Sequence, residues 1–282
     1  MRVAVVSNRN VPGQPAENAA DHVAWIAKAA RAGAQLVLFP ELSLSGYSCA
    51  PFMRRLGMAL SDRHPAKIAA AARRFGVHVA VGLPLRRSRR LYICHALAGP
   101  DGWSGHYEKV HLAGGPGPSG EGAIFSPGRG FRVFDVRGVK VGINICADGR
   151  HPGSSLCLAH LGAEIILHPH GNTVGRLGVN PRDWTDKKRA YLGARAIDTC
   201  TCMLICNSVG SPRDRAGRRV DFSGGALILD ADGRFVARSK RTARRAHMIV
   251  ADLDIDALRA RRRTSVFAGH RAKVYVAALS RA

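Results

Sequence analysis

The feature that most constrains this chain is a unit that repeats along it. Apolar residues recur at helical spacing, a glycine or turn stops them, and a short run of aliphatic and β-branched residues follows. Residues 19–32 keep the helical period and stop at Gly33, after which Leu36-Val37-Leu38-Phe39 runs into Pro40. Residues 65–75 repeat the pattern, with Gly76 as the stop and Val77-His78-Val79-Ala80-Val81 as the strand. A third copy runs through residues 154–161, Gly162 and residues 164–167; a fourth joins a longer helix at 184–199 to a strand at 203–207. Helical and strand periods alternating in this way predict a layered α/β architecture.

Other segments add antiparallel pieces. Met1-Arg2-Val3-Ala4-Val5-Val6 is strand-like from its start, and residues 92–98 form a strand that ends in the turn Gly99-Pro100-Asp101-Gly102. Residues 131–136 and 139–145, joined by Arg137-Gly138, read as a hairpin. Strands near 226–229, 234–237 and 248–251 follow, with a turn at Asp230-Ala231-Asp232-Gly233, and a basic helix at 255–262 closes the pattern. The Gly/Pro-rich stretch 113–122 is too short to be a linker and reads as a surface loop. Residues 1–282 are therefore expected to form a single domain.

Composition removes several function classes. Hydrophobic residues make up 46% of the chain, which supplies a core and excludes a disordered basic tail. No apolar run approaches the roughly 20 residues a membrane-spanning helix needs. The N-terminal sequence lacks the apolar h-region of a secretory signal, so a cytoplasmic location is expected. Seven cysteines, an odd number, argue against a disulfide framework, and no paired CxxC motifs suggest a zinc site. The 43 Lys and Arg outweigh 20 Asp and Glu, for a formal net charge of +23. Basic clusters at 86–90, 213–219, 240–245 and 259–263 fall at expected turns or helix ends. With only 6% aromatic residues, none is interleaved with stacking rings. They read as solvated surface, with no specific nucleic-acid partner expected; such a surface also attracts small anions.

Chemistry in an α/β sheet collects just beyond strand C-termini. Three exits carry suitable groups: Phe39-Pro40-Glu41, Glu108-Lys109-Val110-His111, and Ile145-Cys146-Ala147-Asp148-Gly149-Arg150. Taken singly, Glu41 reads as a surface or capping carboxylate, Lys109 as a solvated lysine, and Cys146 as a buried inert thiol like Cys94, Cys202 and Cys206. Alternation puts Lys109 and His111 on one face and Glu108 on the other. Together the three exits describe a site. A thiol becomes a nucleophile once a base takes its proton or a cation lowers its pKa. Glu41 is a candidate base, Lys109 a candidate partner for developing negative charge, and the Ala147 N–H a candidate oxyanion donor. Such parts suit attack on an amide, carbamoyl or nitrile carbon.

The motifs that carry these residues resemble those of the nitrilase superfamily, the carbon–nitrogen hydrolases. Leu38-Phe39-Pro40-Glu41-Leu42-Ser43-Leu44-Ser45-Gly46-Tyr47 is similar to the family's glutamate motif, Tyr107-Glu108-Lys109-Val110-His111-Leu112 to its lysine motif, and Val141-Gly142-Ile143-Asn144-Ile145-Cys146 to its nucleophile motif. Glu121, upstream of Phe125-Ser126-Pro127-Gly128, stands where the family places a second glutamate. The resemblance implies Glu41 as general base, Cys146 as nucleophile, Lys109 as stabiliser of the tetrahedral intermediate, and Glu121 as a group that orients the site or assists proton transfer. It also implies a thioester acyl-enzyme, no metal or organic cofactor, a four-layer α-β-β-α sandwich, and a homodimer or higher homo-oligomer.

Departures from the family pattern cluster around the nucleophile. Ala147 stands where many members carry a larger residue, and His151-Pro152-Gly153 replaces an aromatic-Pro-Glu ending. A roomier pocket is expected. Arg150 is similar to arginines in members that cleave N-carbamoyl amino acids, where a guanidinium can pair with a substrate carboxylate; the alternative is a surface or loop-ordering arginine. His151 reads as structural. The run Leu167-His168-Pro169-His170-Gly171-Asn172-Thr173 follows another strand and is expected to line the pocket, with His170 and Asn172 as substrate contacts; its histidines lack carboxylate partners for a metal. The sequence therefore favours hydrolysis of a linear amide or N-carbamoyl bond in a small substrate. The alternatives are nitrile hydrolysis, disfavoured by Asp148 two residues after the cysteine, acyl transfer, and a catalytically idle basic binding protein.

Overall fold

The computed structural model describes residues 1–114, 120–173, 181–214, 217–240 and 245–280, the side chains of 181–183 excepted. The middle of the expected surface loop at 113–122, and parts of the basic clusters at 213–219 and 240–245, lie outside the described residues.

The helix-then-strand repeats take the following form. In the first half, β1 (Arg2–Ser7), α1 (Pro15–Arg31), β2 (Leu36–Leu38), α2 (Arg63–Phe75) and β3 (His78–Arg87) make a parallel ladder. The antiparallel strands β4 (Arg90–Gly99) and β5 (Gly102–Glu108) then extend it. The second half has β6 (Val133–Val136) and β7 (Val139–Ile143) as the expected hairpin, then α3 (Pro152–His160), β8 (Ile165–His170), α4 (Pro181–Thr199) and β9 (Cys202–Asn207). The strands β7, β8 and β9 are parallel, and β10 (Ala226–Leu229) and β11 (Phe235–Arg238) add antiparallel partners. The last strand, β12 (His247–Asp252), crosses back to pair with β1. Among the described residues this gives two six-stranded sheets, ordered β12-β1-β2-β3-β4-β5 and β11-β10-β9-β8-β7-β6.

Strand alternation divides the apolar residues into three layers, because successive side chains point to opposite faces. Val3 and Val5 of β1, Leu36 and Leu38 of β2, Ile165 and Leu167 of β8, and Leu204 and Cys206 of β9 meet in one core between the sheets. The intervening residues of the first sheet, Ala4, Val6, Val37, Val79 and Val81, pack on Ile26 of α1 and Ile68 of α2. On the other side, Ile166, Met203, Ile205, Leu227 and Leu229 pack on Leu158 of α3 and on Trp184 and Leu192 of α4. Helix, sheet, sheet and helix thus stack as an α-β-β-α sandwich. Each fully buried aliphatic side chain adds about 1.5–3 kcal/mol.

Several boundaries differ from the periodicity. Residues 82–87 extend β3 beyond its expected end, and Pro84 is tolerated there because β2 stops at Leu38, opposite Ala80. Two further helices close the described chain, α5 (Ile255–Thr264) and α6 (Ala272–Leu279), of which only the first was expected. The arginines of α5 are not simply solvated. Arg259 Nε lies 2.5 Å from Glu164 Oε1, Arg261 pairs with Asp232, and Arg262 donates to the carbonyls of Ala159 and Ala163. No helix among the described residues is long and apolar enough to cross a membrane.

Candidate active site

Strand ends from both sheets converge on one buried cluster. Three residues beyond β2, Glu41 sits on a loop laid across β3: the Phe39 N–H donates to Ala80 O at 3.0 Å and the Leu44 N–H to Gly82 O at 2.8 Å. The Glu41 N–H donates to His170 O at 3.3 Å, which ties this loop to the end of β8 in the opposite sheet. The next residue, Leu42, has φ of 49°, a left-handed conformation that turns the chain sharply. Lys109 follows β5, its N–H donating to Ile93 O at 2.8 Å. Its Nζ donates to Glu41 Oε1 at 2.6 Å and to Glu121 Oε1 at 2.8 Å. Glu121, at the start of a short 3-10 turn, accepts the Tyr47 hydroxyl at 2.8 Å on the same oxygen and the Ala113 N–H at 2.7 Å on the other.

These three charged side chains are all buried, so their electrostatics is strong. Burial raises Glu41 to about 7, an effect opposed by Lys109 and reinforced by Glu121. Its second oxygen, Oε2, is buried with no hydrogen-bond partner among the described residues. Burial works against the Lys109 ammonium, but Glu121 and Glu41 outweigh it and hold the lysine well above its ordinary value.

Cys146 stands just beyond β7 with φ of 47°. A non-glycine residue in this region is strained, and such strain concentrates at functional sites. The elbow is held by Asp148, a buried carboxylate that accepts the Ile145 N–H at 2.9 Å, the His111 N–H at 2.8 Å and the Tyr107 hydroxyl at 2.8 Å. Burial would raise Asp148, but hydrogen bonds from the His111 ring and these backbone N–H groups leave it below the usual carboxylate value. In the sequence Asp148 is only a departure from a pattern; in the fold it is the strut that joins the Cys146 elbow to the Lys109 loop. The Cys146 thiol is pushed up to about 12 by burial and by Glu41, while Lys109 and Lys188 pull the other way. At neutral pH it therefore rests protonated.

A chamber of about 450 Å³ opens beside the thiol, lined by Cys146, Ala147, Arg150, Asn172, Trp184, Lys188 and Tyr191 among others. Asn172 Nδ2 lies 3.6 Å from Cys146 Sγ, and its Oδ1 accepts the Trp184 indole N–H at 3.1 Å. The Ala147 N–H makes no backbone hydrogen bond outside its own 3-10 turn among the described residues. Arg150 lies on the exposed rim. His151 stacks on His111 with ring centroids 3.9 Å apart.

His170 departs from the expectation that it contacts substrate. Its side chain is fully buried behind the chamber wall, edge-on to Trp184 at 5.8 Å and to His168 at 4.4 Å. The reason is register: β8 runs on to His170, so the strand keeps its ring in the core. Among the described residues no three His, Cys, Asp or Glu side chains are grouped as a metal site requires.

Sequence reasoning missed Tyr47, Tyr107, Trp184, Lys188 and Tyr191. The tyrosines at 47 and 107 fall inside the motifs quoted above, which is the one signal that pointed to them. A second cavity of about 480 Å³ is bordered by Arg87, His106, Glu108, Arg129 and Arg132 but contains no nucleophile. Its acid, Glu108, already pairs with Arg87 at 2.6 Å.

Two sheets faced by helices, with a glutamate, a lysine and a cysteine gathered at their strand ends, define a class before any comparison is made. The chain belongs to the carbon-nitrogen hydrolase family, which it matches over residues 2–263. Among curated proteins it is 32% identical to an (R)-stereoselective amidase of a Pseudomonas species over 228 residues, 81% of this chain and 76% of that one. It is 29% identical to a nitrilase of Pyrococcus abyssi over 255 residues, 88% of each chain. Among solved structures, a carbon-nitrogen hydrolase from Helicobacter pylori G27 superposes with a TM-score of 0.87 at 22% identity, covering 99% of this chain and 98% of that one, a likeness of fold.

Proposed function

We propose that this single hydrolase domain cleaves the carbon–nitrogen bond of a small linear amide or N-carbamoyl compound through a thioester on Cys146. The observation that carries this reading is a cysteine on a strained elbow close enough to the buried Glu41 carboxylate for its charge to act on the thiol. Glu41 keeps one oxygen on Lys109, and among the described residues the other is bonded to no side chain, with the Gly171 N–H as the backbone neighbour of the carboxylate. The amidase relative supports the same reaction class.

The steps follow from the charges. Glu41 Oε2 takes the thiol proton as Cys146 Sγ attacks the carbonyl carbon, so no free thiolate accumulates. The oxyanion that forms is met by the Lys109 ammonium and the Ala147 N–H. Collapse breaks the carbon–nitrogen bond while the protonated Glu41 returns its proton to the leaving nitrogen. Water then attacks the thioester, gives its proton to Glu41, and expels the acid; the proton returns to sulfur. Glu121 keeps a carboxylate on the Lys109 ammonium throughout, including while Glu41 carries the proton. No step draws on a metal or organic cofactor.

Purified protein is expected to release ammonia from members of a panel of amides and carbamoyl compounds. Nitriles belong in the panel because one relative bears that activity's name. Cys146→Ala should reduce release to background while circular dichroism and the melting temperature stay close to wild type. Ammonia release that survives the substitution would rule out the thioester. We further take the protein to be cytoplasmic, supported by seven free cysteines, and homodimeric, supported by exposed Val276 and Leu279 on α6.

A further inference from the structure

Lys188 is the charged group whose surroundings the proposed chemistry leaves unexplained. It is 8% exposed, on the face of α4 that forms the chamber wall. Its Nζ donates to the Tyr191 hydroxyl at 2.9 Å and lies 5.1 Å from the Tyr191 ring centroid and 5.8 Å from that of Trp184. An ammonium has three donors, and only this one bond is made to a protein acceptor among the described residues. No carboxylate pairs with it among them, in contrast to Lys109, which is held by two.

The surrounding charges sharpen the contrast. Arg150 and Lys187 border the same chamber, both exposed, and no Asp or Glu among the described residues lines it. A buried cation without a counter-ion is costly, and a like-charged neighbour adds to the cost. Desolvation lowers the lysine to about 8, opposed by Cys146 and Glu41 and reinforced by Arg150 and Lys187. Position matters as much as charge. Trp184 is bonded to Asn172, and Asn172 to the Cys146 sulfur, so one continuous wall runs from the reacting atom to the ammonium.

We propose that Lys188 is the anion anchor of this site, and that the substrate is an amide bearing a carboxylate away from the bond that breaks. The inference rests on the amidohydrolase reading only in taking Cys146 as the reacting centre. The carboxylate supplies the counter-ion that no described residue provides, while the Trp184 and Tyr191 rings hold the ammonium in place. Arg150, on the rim, then acts as a second and weaker attraction.

The test separates binding from turnover. Binding of malonamate, succinamate and glutaramate to Cys146→Ala protein is measured by calorimetry beside neutral isosteres such as isocaproamide for succinamate. The readout is the ratio of affinities within a pair, because a general packing defect lowers both members together. At least one carboxylated member should bind about tenfold or more tightly than its isostere. Lys188→Met added to Cys146→Ala should bring that ratio near one, Lys188→Arg should restore part of it, and Arg150→Met should reduce it less. A ratio near one without the Lys188 change, or a preference that survives Lys188→Met, overturns the anchor. Carboxylate preference in the absence of turnover of any amide by wild type would sink the hydrolase reading and leave the anchor standing. Turnover without carboxylate preference would do the reverse.

Discussion

Glu41 and Cys146 are both pushed upward by burial, and the gap between them sets how the site rests. With the thiol near 12 and the carboxylate near 7, the proton stays on sulfur until an electrophile arrives. A base works only when ionised, so kcat/KM should rise with pH through about 7 and then level. Glu41, Lys109 and Glu121 interact strongly, so that midpoint belongs to the cluster. Glu41→Gln should lower kcat by about 10²- to 10⁴-fold and remove the rising limb. A pH–rate profile in which the limb persists in the variant would show that another group titrates. That Glu41, Lys109 and Cys146 would gather at strand ends was legible in the sequence, because each lies at the end of a short strand inside a motif. Lys188 was not: in the run Asp186-Lys187-Lys188-Arg189 it looks like one more solvated charge, and only the packing of α4 over β8 and β9 buries it. His170 was misleading for the opposite reason, since a histidine near a strand end looks accessible until the register is known.

The loop carrying Glu41 is only as well placed as the strand beneath it. A Cβ on Gly82 of β3 would stand 2.4 Å from Leu42 N and 2.6 Å from Pro40 O, backbone atoms that cannot swing aside. Gly82→Ala is therefore expected to lift the loop and carry the carboxylate away from Lys109. A displacement of about 1 Å at a reacting group costs on the order of 10²-fold in rate, and the forced contact about 1–3 kcal/mol of stability. Steady-state kinetics and thermal melts on the one variant check both; unchanged kcat/KM would show that the loop has slack. At this scale the repeats of helix, stop and strand were readable, since periodicity and the left-handed Gly76 at the end of α2 are local signals. The extension of β3, the register of β8 and the last helix were not. Each depends on what lies alongside, and Ala272–Leu279, with alternating valines, has no helical stripe to read.

Across the whole molecule, charge and burial pull stability in a definite direction with pH. His22 is held near 4, and His95 and His168 near 3, chiefly by burial, against an unfolded value of 6.5. Between those values the unfolded chain binds protons that the folded one refuses, so stability falls as pH falls from about 6.5 towards 4. Glu41 acts in the opposite sense between its ordinary value of 4.5 and about 7, one group against these three and His170, which burial also holds well below its ordinary value. Melting temperatures measured across this range should drop steadily towards acid, and a flat profile would contradict the assignment of neutral buried histidines. Of the 43 basic residues, Arg2, Arg87, Arg219, Arg259 and Arg261 each sit on an acid, but such pairs cancel in the sum and leave the net charge of +23 untouched. The pairing of β12 with β1 has a consequence for how the protein is made. Arg2 lies opposite Asp252 in that ladder, and the Met1 ammonium donates to Leu253 O. During synthesis β1 waits for this neighbour while the roughly 240 residues between the two strands are made. At about 5–20 residues per second the delay is on the order of ten to fifty seconds, during which β1 offers an open edge to any other strand.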